Sequence, residues 1–424
     1  MKILIVSYFF PPYNTIGAVR VGKLAKYWHQ SGHDVRVISA VNQNFPPDLP
    51  LEVPDEQVIY TKWLNINQPF KKFQQKSAEL VGGRTKSSGS SSRASRQYLE
   101  KMISIYKALA NYPDECVGWL PYAKTSAARL LAKWQPDLIY ASARPFTSLL
   151  LARSLSLRAG LPWVAELRDL WADNHYLSRP TWRQFLDERL EKKVLSKASG
   201  LVTVSEPLAA ILREKYQKPC AVVLNGFVKE DFPAISGGAE SRNVVISYTG
   251  LLYSGKRDPS PLFAALAGLG EAAERFKVVF YGSEGEYVRE LAEKYGVTRC
   301  VEVRPHVPYR ECLALQRRSD ILLLLLWNVE QEQGVYTGKV FEYFGARRPI
   351  LVLGPRDNVA SKLVMERGAG YVATDPAKIA DRLRAWLREK EENGSIADLP
   401  VDVGRGLSRE EQFGHLDEFI STLL

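Results

Sequence analysis

The stretch Gly334-Val-Tyr-Thr-Gly-Lys-Val-Phe-Glu-Tyr-Phe-Gly-Ala-Arg-Arg-Pro-Ile-Leu-Val-Leu353 reads as a loop, a short helix and a buried strand. Tyr336-Thr337-Gly338 opens the helix, whose first N–H groups have no partner inside it and face an anion. Gly338 lets a phosphate approach the backbone, Lys339 supplies a fixed positive charge, and Glu342, one turn on, shares the face of Lys339. The two carboxylate oxygens of Glu342 can accept both hydroxyls of a ribose cis-diol. These are the parts of a grip on a nucleotide diphosphate, although an ordinary amphipathic helix with a surface Lys–Glu pair would use the same residues.

Outward from this stretch, short β-rich runs alternate with helical patterns, the signature of parallel sheets built from βαβ units, and the alternation occurs in both halves of the chain. The first half predicts strands Lys2–Val6, Asp34–Ser39, Gln57–Tyr60, Asp137–Ala141, Pro162–Glu166, Gly200–Val204 and Ala221–Leu224. Between them fall helices such as Gly17–Gln30, Ala123–Lys133, Phe146–Arg158, Trp182–Ser196 and Pro207–Tyr216. The second half predicts strands Val244–Tyr248, Lys277–Tyr281, Val301–Arg304, Ile321–Leu326, Ile350–Leu353 and Tyr371–Ala373. The run Ile321–Leu326, between Asp320 and Trp327, has the length of a strand buried on both faces and is too short to span a membrane. Gly226 to Arg242, with Pro233 and Gly237-Gly238, breaks the pattern and marks a domain boundary. The expected fold is α/β: two Rossmann-like doubly wound parallel-sheet domains, 1–228 and 229–405, facing a cleft at the carboxyl ends of their strands. A C-terminal helix in 406–424 is expected to cross back to the first domain.

A chain of 424 residues that is 46% hydrophobic and 25% charged fits a soluble globular protein of about two to three domains. The apolar start Ile3–Val6 is a first strand, without the length of a span or a small-residue cleavage site. Cys116, Cys220, Cys300 and Cys312 lack paired spacing and the histidines form no ligand cluster, so neither disulfides nor a zinc site is expected, and the cytoplasm is the expected compartment. Residues 1–230 hold 32 Lys and Arg against 19 Asp and Glu, whereas 231–424 hold 25 against 28. The basic excess is densest in Lys62–Lys107, where ten cations meet only Glu79 and Glu100. This insertion contains a Gly/Ser-rich, flexible run, Gly82–Arg93, and helical spacing from Tyr98 to Leu109. Such a segment suits an anionic membrane surface, while a solvated loop is the plainer reading. Nucleic acid is not expected, since neither an aromatic-interleaved basic sheet nor a recognition-helix pattern is present in the sequence.

The motifs, in order, resemble those of the GT-B glycosyltransferases of family 4. Pro11-Pro12 to Gly17, Arg20 and Gly32-His33-Asp34-Val35 resemble the first strand, glycine loop and turn into the second strand. Asn225-Gly226-Phe227 resembles the turn before the linker, Thr249-Gly250 with Lys256-Arg257 the loop holding the donor diphosphate, and Thr337-Gly338-Lys339-Val340-Phe341-Glu342-Tyr343 the K-x-FEY element. Two positions depart from the pattern: Gly334 stands where the family commonly has a glutamate eight residues before Glu342, and Leu251 where an arginine usually follows the loop glycine. Glu330 and Glu332 are nearby candidates for the missing acid.

The resemblance implies transfer of a sugar from a nucleotide-diphosphate sugar to a lipid-linked or polysaccharide acceptor, with retention and without a metal. Donor contacts would come from Gly17, Gly250, Lys256, Arg257, Tyr336, Thr337, Gly338, Lys339 and Glu342, with His306 beside the base. Arg168 and Asp169, in Glu166-Leu-Arg-Asp-Leu-Trp171 directly after a predicted strand, would join Arg257 in catalysis, an Asp that merely caps a helix being the plainer alternative. The expected location is the inner face of the cytoplasmic membrane, bound peripherally. A sugar-nucleotide 2-epimerase of the same architecture, or a catalytically silent GT-B scaffold subunit, are the alternatives the sequence leaves open.

Overall fold

The computed structural model describes residues 1–67, 103, 106, 109–174, 176, 179–233, 242–253, 255–282 and 285–424. Most of the basic insertion Lys62–Lys107, including Gly82–Arg93 and nearly all of the helix expected from Tyr98, and 234–241 of the boundary segment lie outside the described residues. The chain forms two compact units. The first comprises Met1–Thr203, Leu208–Ala221 and Glu418–Leu424, and the second Val204–Pro207 and Val222–Asp417.

The first unit is built on a seven-stranded sheet of β1 (Lys2–Val6), β2 (Asp34–Ala40), β3 (Val58–Thr61), β4 (Leu138–Ala143), β5 (Trp163–Leu167), β6 (Gly200–Thr203) and β7 (Cys220–Val222), in the order β3-β2-β1-β4-β5-β6-β7. Pairing from β3 through β6 is parallel, with Val6 opposite both Ile38 and Ala141. The second unit carries β8 (Val244–Thr249), β9 (Phe276–Tyr281), β10 (Val301–Arg304), β11 (Ile321–Leu325), β12 (Ile350–Leu353) and β13 (Gly370–Val372), all parallel, in the order β10-β9-β8-β11-β12-β13. Each order reverses once, between β1 and β4 and between β8 and β11. At such a reversal the connections leave to opposite faces and open a crevice beyond the carboxyl ends of the strands. Each strand expected from the sequence is present, its ends moved by at most two residues.

β11 shows why a continuous apolar run makes such a strand. Ile321, Leu323 and Leu325 enter one hydrophobic cluster, with Phe263, Phe280 and Trp386, while Leu322 and Leu324 enter another on the opposite face, with Phe341 and Phe344. Alternate side chains of a strand point to opposite faces, so a strand covered on both sides needs apolar residues at every position. The base of this strand is pinned by charge: Asp320, fully buried, accepts Lys390 Nζ at 2.6 Å and the Val245 N–H at 2.8 Å, and Lys390 Nζ also donates to the Asn243 carbonyl at 2.8 Å. One carboxylate thus joins β11, β8 and the helix Pro376–Asn393.

The last helix, Arg409–Ser421, opens with a reciprocal capping box in which the Glu411 N–H donates to Ser408 Oγ at 3.2 Å and Glu411 Oε2 accepts the Ser408 N–H at 3.1 Å. Its final residues group with the first unit, where Leu423 and Phe419 fill the space a side chain at Gly200 would take.

Lys390→Met leaves the Asp320 carboxylate buried without its counter-ion, a defect that costs about 3–5 kcal/mol. The expected result is a lower denaturant midpoint at unchanged slope, with partial recovery in Lys390→Met/Asp320→Asn; a midpoint equal to that of the parent protein would contradict this role for the pair.

Candidate nucleotide site

In the second unit the helix Gly338–Ala346 begins at the N-cap Thr337, whose Oγ1 accepts the Lys339 N–H at 3.2 Å. Lys339 then runs beneath the loop that follows β8. A Cβ added to Gly250 would lie 2.7 Å from Lys339 Cε and 2.9 Å from Nζ, and Gly250 has φ +117°. Both the conformation and the close approach require glycine there. Lys339 Nζ lies 5.2 Å from the Tyr248 ring centre, and the Tyr248 hydroxyl donates to the Leu251 carbonyl at 2.8 Å. Arg257 Nη1 reaches the same carbonyl at 3.1 Å, with its guanidinium over the Tyr253 ring, while Lys256 Nζ stands 4.4 Å from the Trp327 ring centre.

Three cations therefore gather at the carboxyl end of β8 beside the start of a helix. Burial pushes the Lys339 ammonium down to about 8, and the neighbouring Arg257 charge pushes in the same direction; Glu342 opposes them in part. Glu342 is in turn held by Gln316, whose Nε2 donates to Glu342 Oε2 at 3.0 Å and to Thr249 Oγ1 at 3.1 Å. Burial raises the Glu342 carboxyl, against the pull of Gln316, Lys339 and Arg409. Lys339 and Glu342 share a helix face as the spacing predicts, and both side chains are half-buried. Gln316 itself is fully buried, and among the described residues its Oε1 finds no hydrogen-bond partner. The sequence gives no cue to it, because nothing in the pattern of the helix Tyr309–Arg318 says which residue faces Glu342. Cys312, near the same amide, has its thiol pushed up to about 12 by burial and the Glu342 charge.

The remaining expected donor residues surround this cluster less closely. Tyr336 precedes the cap and packs its ring 5.3 Å from that of Phe341. His306 is exposed on the loop after β10, beside Gly282 at the end of β9. Gly334 is fixed by Ser205 Oγ, which donates to its carbonyl at 2.6 Å, and a Cβ there would meet Pro207 Cβ at 2.9 Å. Here the family's glutamate is absent and its space is occupied. Glu330 is exposed and Glu332 half-buried on the turn Glu330–Glu332, which Asn358 Nδ2 holds through the Glu332 carbonyl at 2.7 Å.

In the first unit Arg168 follows β5, and its Nε donates to the Ala143 carbonyl at 2.9 Å and its Nη2 to the Arg144 carbonyl at 3.2 Å. Its guanidinium lies against Gly17, where an added Cβ would fall 2.8 Å from Nη2. Gly17 belongs to the first turn of the helix Ile16–Gln30, capped by Thr15 Oγ1, which accepts the Ala18 N–H at 3.0 Å. Beneath them Glu166, fully buried, accepts from Arg20 Nε at 2.8 Å, Tyr140 Oη at 2.7 Å and Ser142 Oγ at 2.5 Å. Burial alone would raise this carboxyl, yet Arg20, Arg168 and the two hydroxyls hold it below the usual range. Asp169 is half-buried and caps no helix among the described residues, where the next one begins at Thr181; Trp171 stacks on Phe146 at 4.6 Å and 3°.

The glycosyl transferase 4-like domain matches residues 17–226. A search of curated proteins gives no match to the chain. Among solved structures, Anabaena HepE in complex with UDP superposes with a TM-score of 0.63 at 14% identity, covering 100% of both chains. Sucrose-phosphate synthase from Thermosynechococcus elongatus gives 0.63 at 12% identity, covering 100% of this chain and 99% of that one. WaaG, a glycosyltransferase involved in lipopolysaccharide biosynthesis, gives 0.52 at 12% identity, covering 100% and 95%. At these identities the structures share the two-sheet fold. The domain match over 17–226 and this fold together support a GT-B glycosyltransferase of the family 4-like kind.

Proposed function

We propose that the second unit binds a nucleotide-diphosphate sugar and that the sugar passes, with retention, to a lipid-linked or polysaccharide acceptor. The observation that carries this reading is the set of Lys339, Arg257 and Lys256 around Gly250, where burial and then the Arg257 charge depress the Lys339 ammonium, and an entering diphosphate would supply the opposite charge. Glu342, oriented by Gln316, takes the ribose hydroxyls, and the first turn of the helix at Gly338 faces the phosphates. HepE, with the same fold, has been seen with UDP, which makes UDP the first nucleotide to test.

As the sugar–phosphate bond lengthens, negative charge grows on the leaving diphosphate, and cations already in place lower the barrier because none has to move. Arg257, on the exposed loop after β8, serves the leaving phosphate in this step, which needs no metal in this reading. A leaving phosphate oxygen takes the proton of the acceptor hydroxyl, so that C–O bond formation and proton transfer balance without a separate base. Arg168, backed by Glu166 and Arg20, and Asp169 act on the sugar and acceptor side, with Gly17 leaving room for the guanidinium. The acceptor reading rests on the basic first half of the chain, 32 cations against 19 acids in residues 1–230, which suits an anionic membrane surface carrying a lipid-linked substrate and supports a location on its cytoplasmic face.

Glu342→Ala is expected to weaken UDP binding at least tenfold, about 1.4 kcal/mol, by calorimetric titration. Binding equal to that of the parent protein would remove Glu342 from the ribose site.

The Lys339 ammonium must be charged to hold a diphosphate, and its pKa is pushed down to about 8. UDP affinity is therefore expected to hold steady from neutral pH and to fall as pH rises past this value, whereas Lys339→Met binds weakly with no such fall. A profile unchanged by Lys339→Met would assign the dependence to another group.

Arg257→Ala is expected to lower turnover at saturating donor by about a hundredfold to a thousandfold, in the range of a lost transition-state contact, with a smaller change in donor affinity. A change confined to affinity would make Arg257 a binding residue only.

A further inference from the structure

The helix Thr181–Leu195 is inverted. Its charged residues Arg183, Asp187 and Glu191, spaced four apart, are buried, while Trp182, Phe185 and Leu186 stand 42%, 50% and 39% exposed. A helix of a soluble domain normally does the reverse. The buried charges are paired: Asp187 Oδ2 meets Arg179 Nη1 at 2.6 Å and Arg183 Nε at 3.1 Å, while Asp187 Oδ1 has no hydrogen-bond partner among the described residues. Glu191 accepts the Tyr216 hydroxyl at 2.6 Å and the Ala172 N–H at 2.9 Å, with Lys215 Nζ at 3.3 Å. Ionic contacts thus anchor the helix and leave its apolar side facing outward.

Trp182, Phe185, Leu186, Arg189 and Lys193 follow the i, i+3, i+4, i+7, i+11 spacing of a single helix face. The Arg189 guanidinium lies 4.1 Å over the Phe185 ring, joining the apolar half of the stripe to its basic half. The basic half continues sideways, because Arg153 Nε donates to the Lys193 carbonyl at 3.1 Å. Beyond it a shallow groove of about 450 Å³ is lined by Lys124, Arg153, Leu157 and Arg158, with Leu157 55% exposed. Among the exposed residues of the helix itself, Arg189, Lys192 and Lys193 face one acid, Glu188.

We infer that this face of the first unit docks on a membrane leaflet bearing anionic lipid headgroups, with Trp182, Phe185 and Leu186 entering the headgroup–acyl boundary and the cations beside them meeting phosphates. Aromatic and aliphatic side chains next to a row of Lys and Arg form the composition of an interfacial helix. Charge complementarity selects the occupant. A second copy of the chain would bring like charges against like across a two-fold contact, whereas a leaflet supplies both an apolar layer and negative charge. This deepens the reading of a membrane-borne acceptor and rests on it, but the surface is separate from the cations around Gly250.

The test is flotation of the purified protein with vesicles of phosphatidylcholine alone or mixed with phosphatidylglycerol. The parent protein is expected to float with the mixed vesicles, less so as salt shortens the screening length below about 8 Å. Phe185→Ser/Leu186→Ser and Arg189→Glu/Lys193→Glu are each expected to cut the bound fraction about tenfold or more, while both retain UDP binding, which shows the variants to be folded. Brominated phosphatidylcholine in the vesicles is expected to quench tryptophan emission in the parent protein and to quench less in Trp182→Phe, a substitution too mild to unfold the chain. The inference is overturned by flotation unchanged in both double variants, by equal quenching in Trp182→Phe, by no flotation of the parent protein, by a dimer in solution that the double variants dissolve, or by equal retention on duplex DNA. UDP binding that fails in the parent protein while flotation follows the expected pattern would fault the donor assignment and leave this surface standing.

Discussion

Positive charge that the protein itself does not neutralise is the constraint around which the second unit is arranged. Lys339 lies under Gly250, where burial and the Arg257 charge depress its ammonium, and Glu342, which Gln316 also holds, answers that charge only in part. Bringing like charges together in a half-buried place lowers stability unless a ligand compensates. The surrounding fold makes the arrangement possible: β11, apolar on both faces and pinned at its base by Asp320 and Lys390, holds the sheet from which the loop at Gly250 and the helix at Gly338 emerge.

The first unit uses a related device. At Gly17, as at Gly250, the space of a side chain is taken by a cation, Arg168 in one case and Lys339 in the other. In the first unit, however, the charge is backed by a buried carboxylate: Glu166 holds Arg20 and draws on Arg168 through space. Removing Glu166 would take from Arg20, a buried residue of the helix Ile16–Gln30, the carboxylate that balances its charge, since both side chains are shielded from water. The two glycines are therefore places where backbone gives way so that a long basic side chain can reach a crevice.

Much of this was legible in the sequence because it depends on local periodicity. Ile321–Leu326 announces a two-faced strand, and the three-residue spacing of Lys339 and Glu342 places them on one helix face. What escaped reading depends on contacts between distant positions. Gln316 meets Glu342 only because the helices Tyr309–Arg318 and Gly338–Ala346 pack together, and Arg20 meets Glu166 across 146 residues. The inverted helix Thr181–Leu195 was expected as a helix, but its outward face was hidden because the charges that anchor it find partners at Arg179, Tyr216 and Lys215, none of them on the helix. Gly334 reads in the sequence as a missing acid; the contact that fills its space comes from Pro207, more than a hundred residues earlier.

The division of the chain also fixes an order of assembly. Glu418–Leu424 belongs to the first unit, and Leu423 and Phe419 cover Gly200 at the start of β6. These residues leave the ribosome after the whole second unit has been made, so the first unit, though begun earlier, is closed later. Until then β6 carries an uncovered apolar spot, and the nascent protein depends on prompt folding of the intervening unit to bring its cover home.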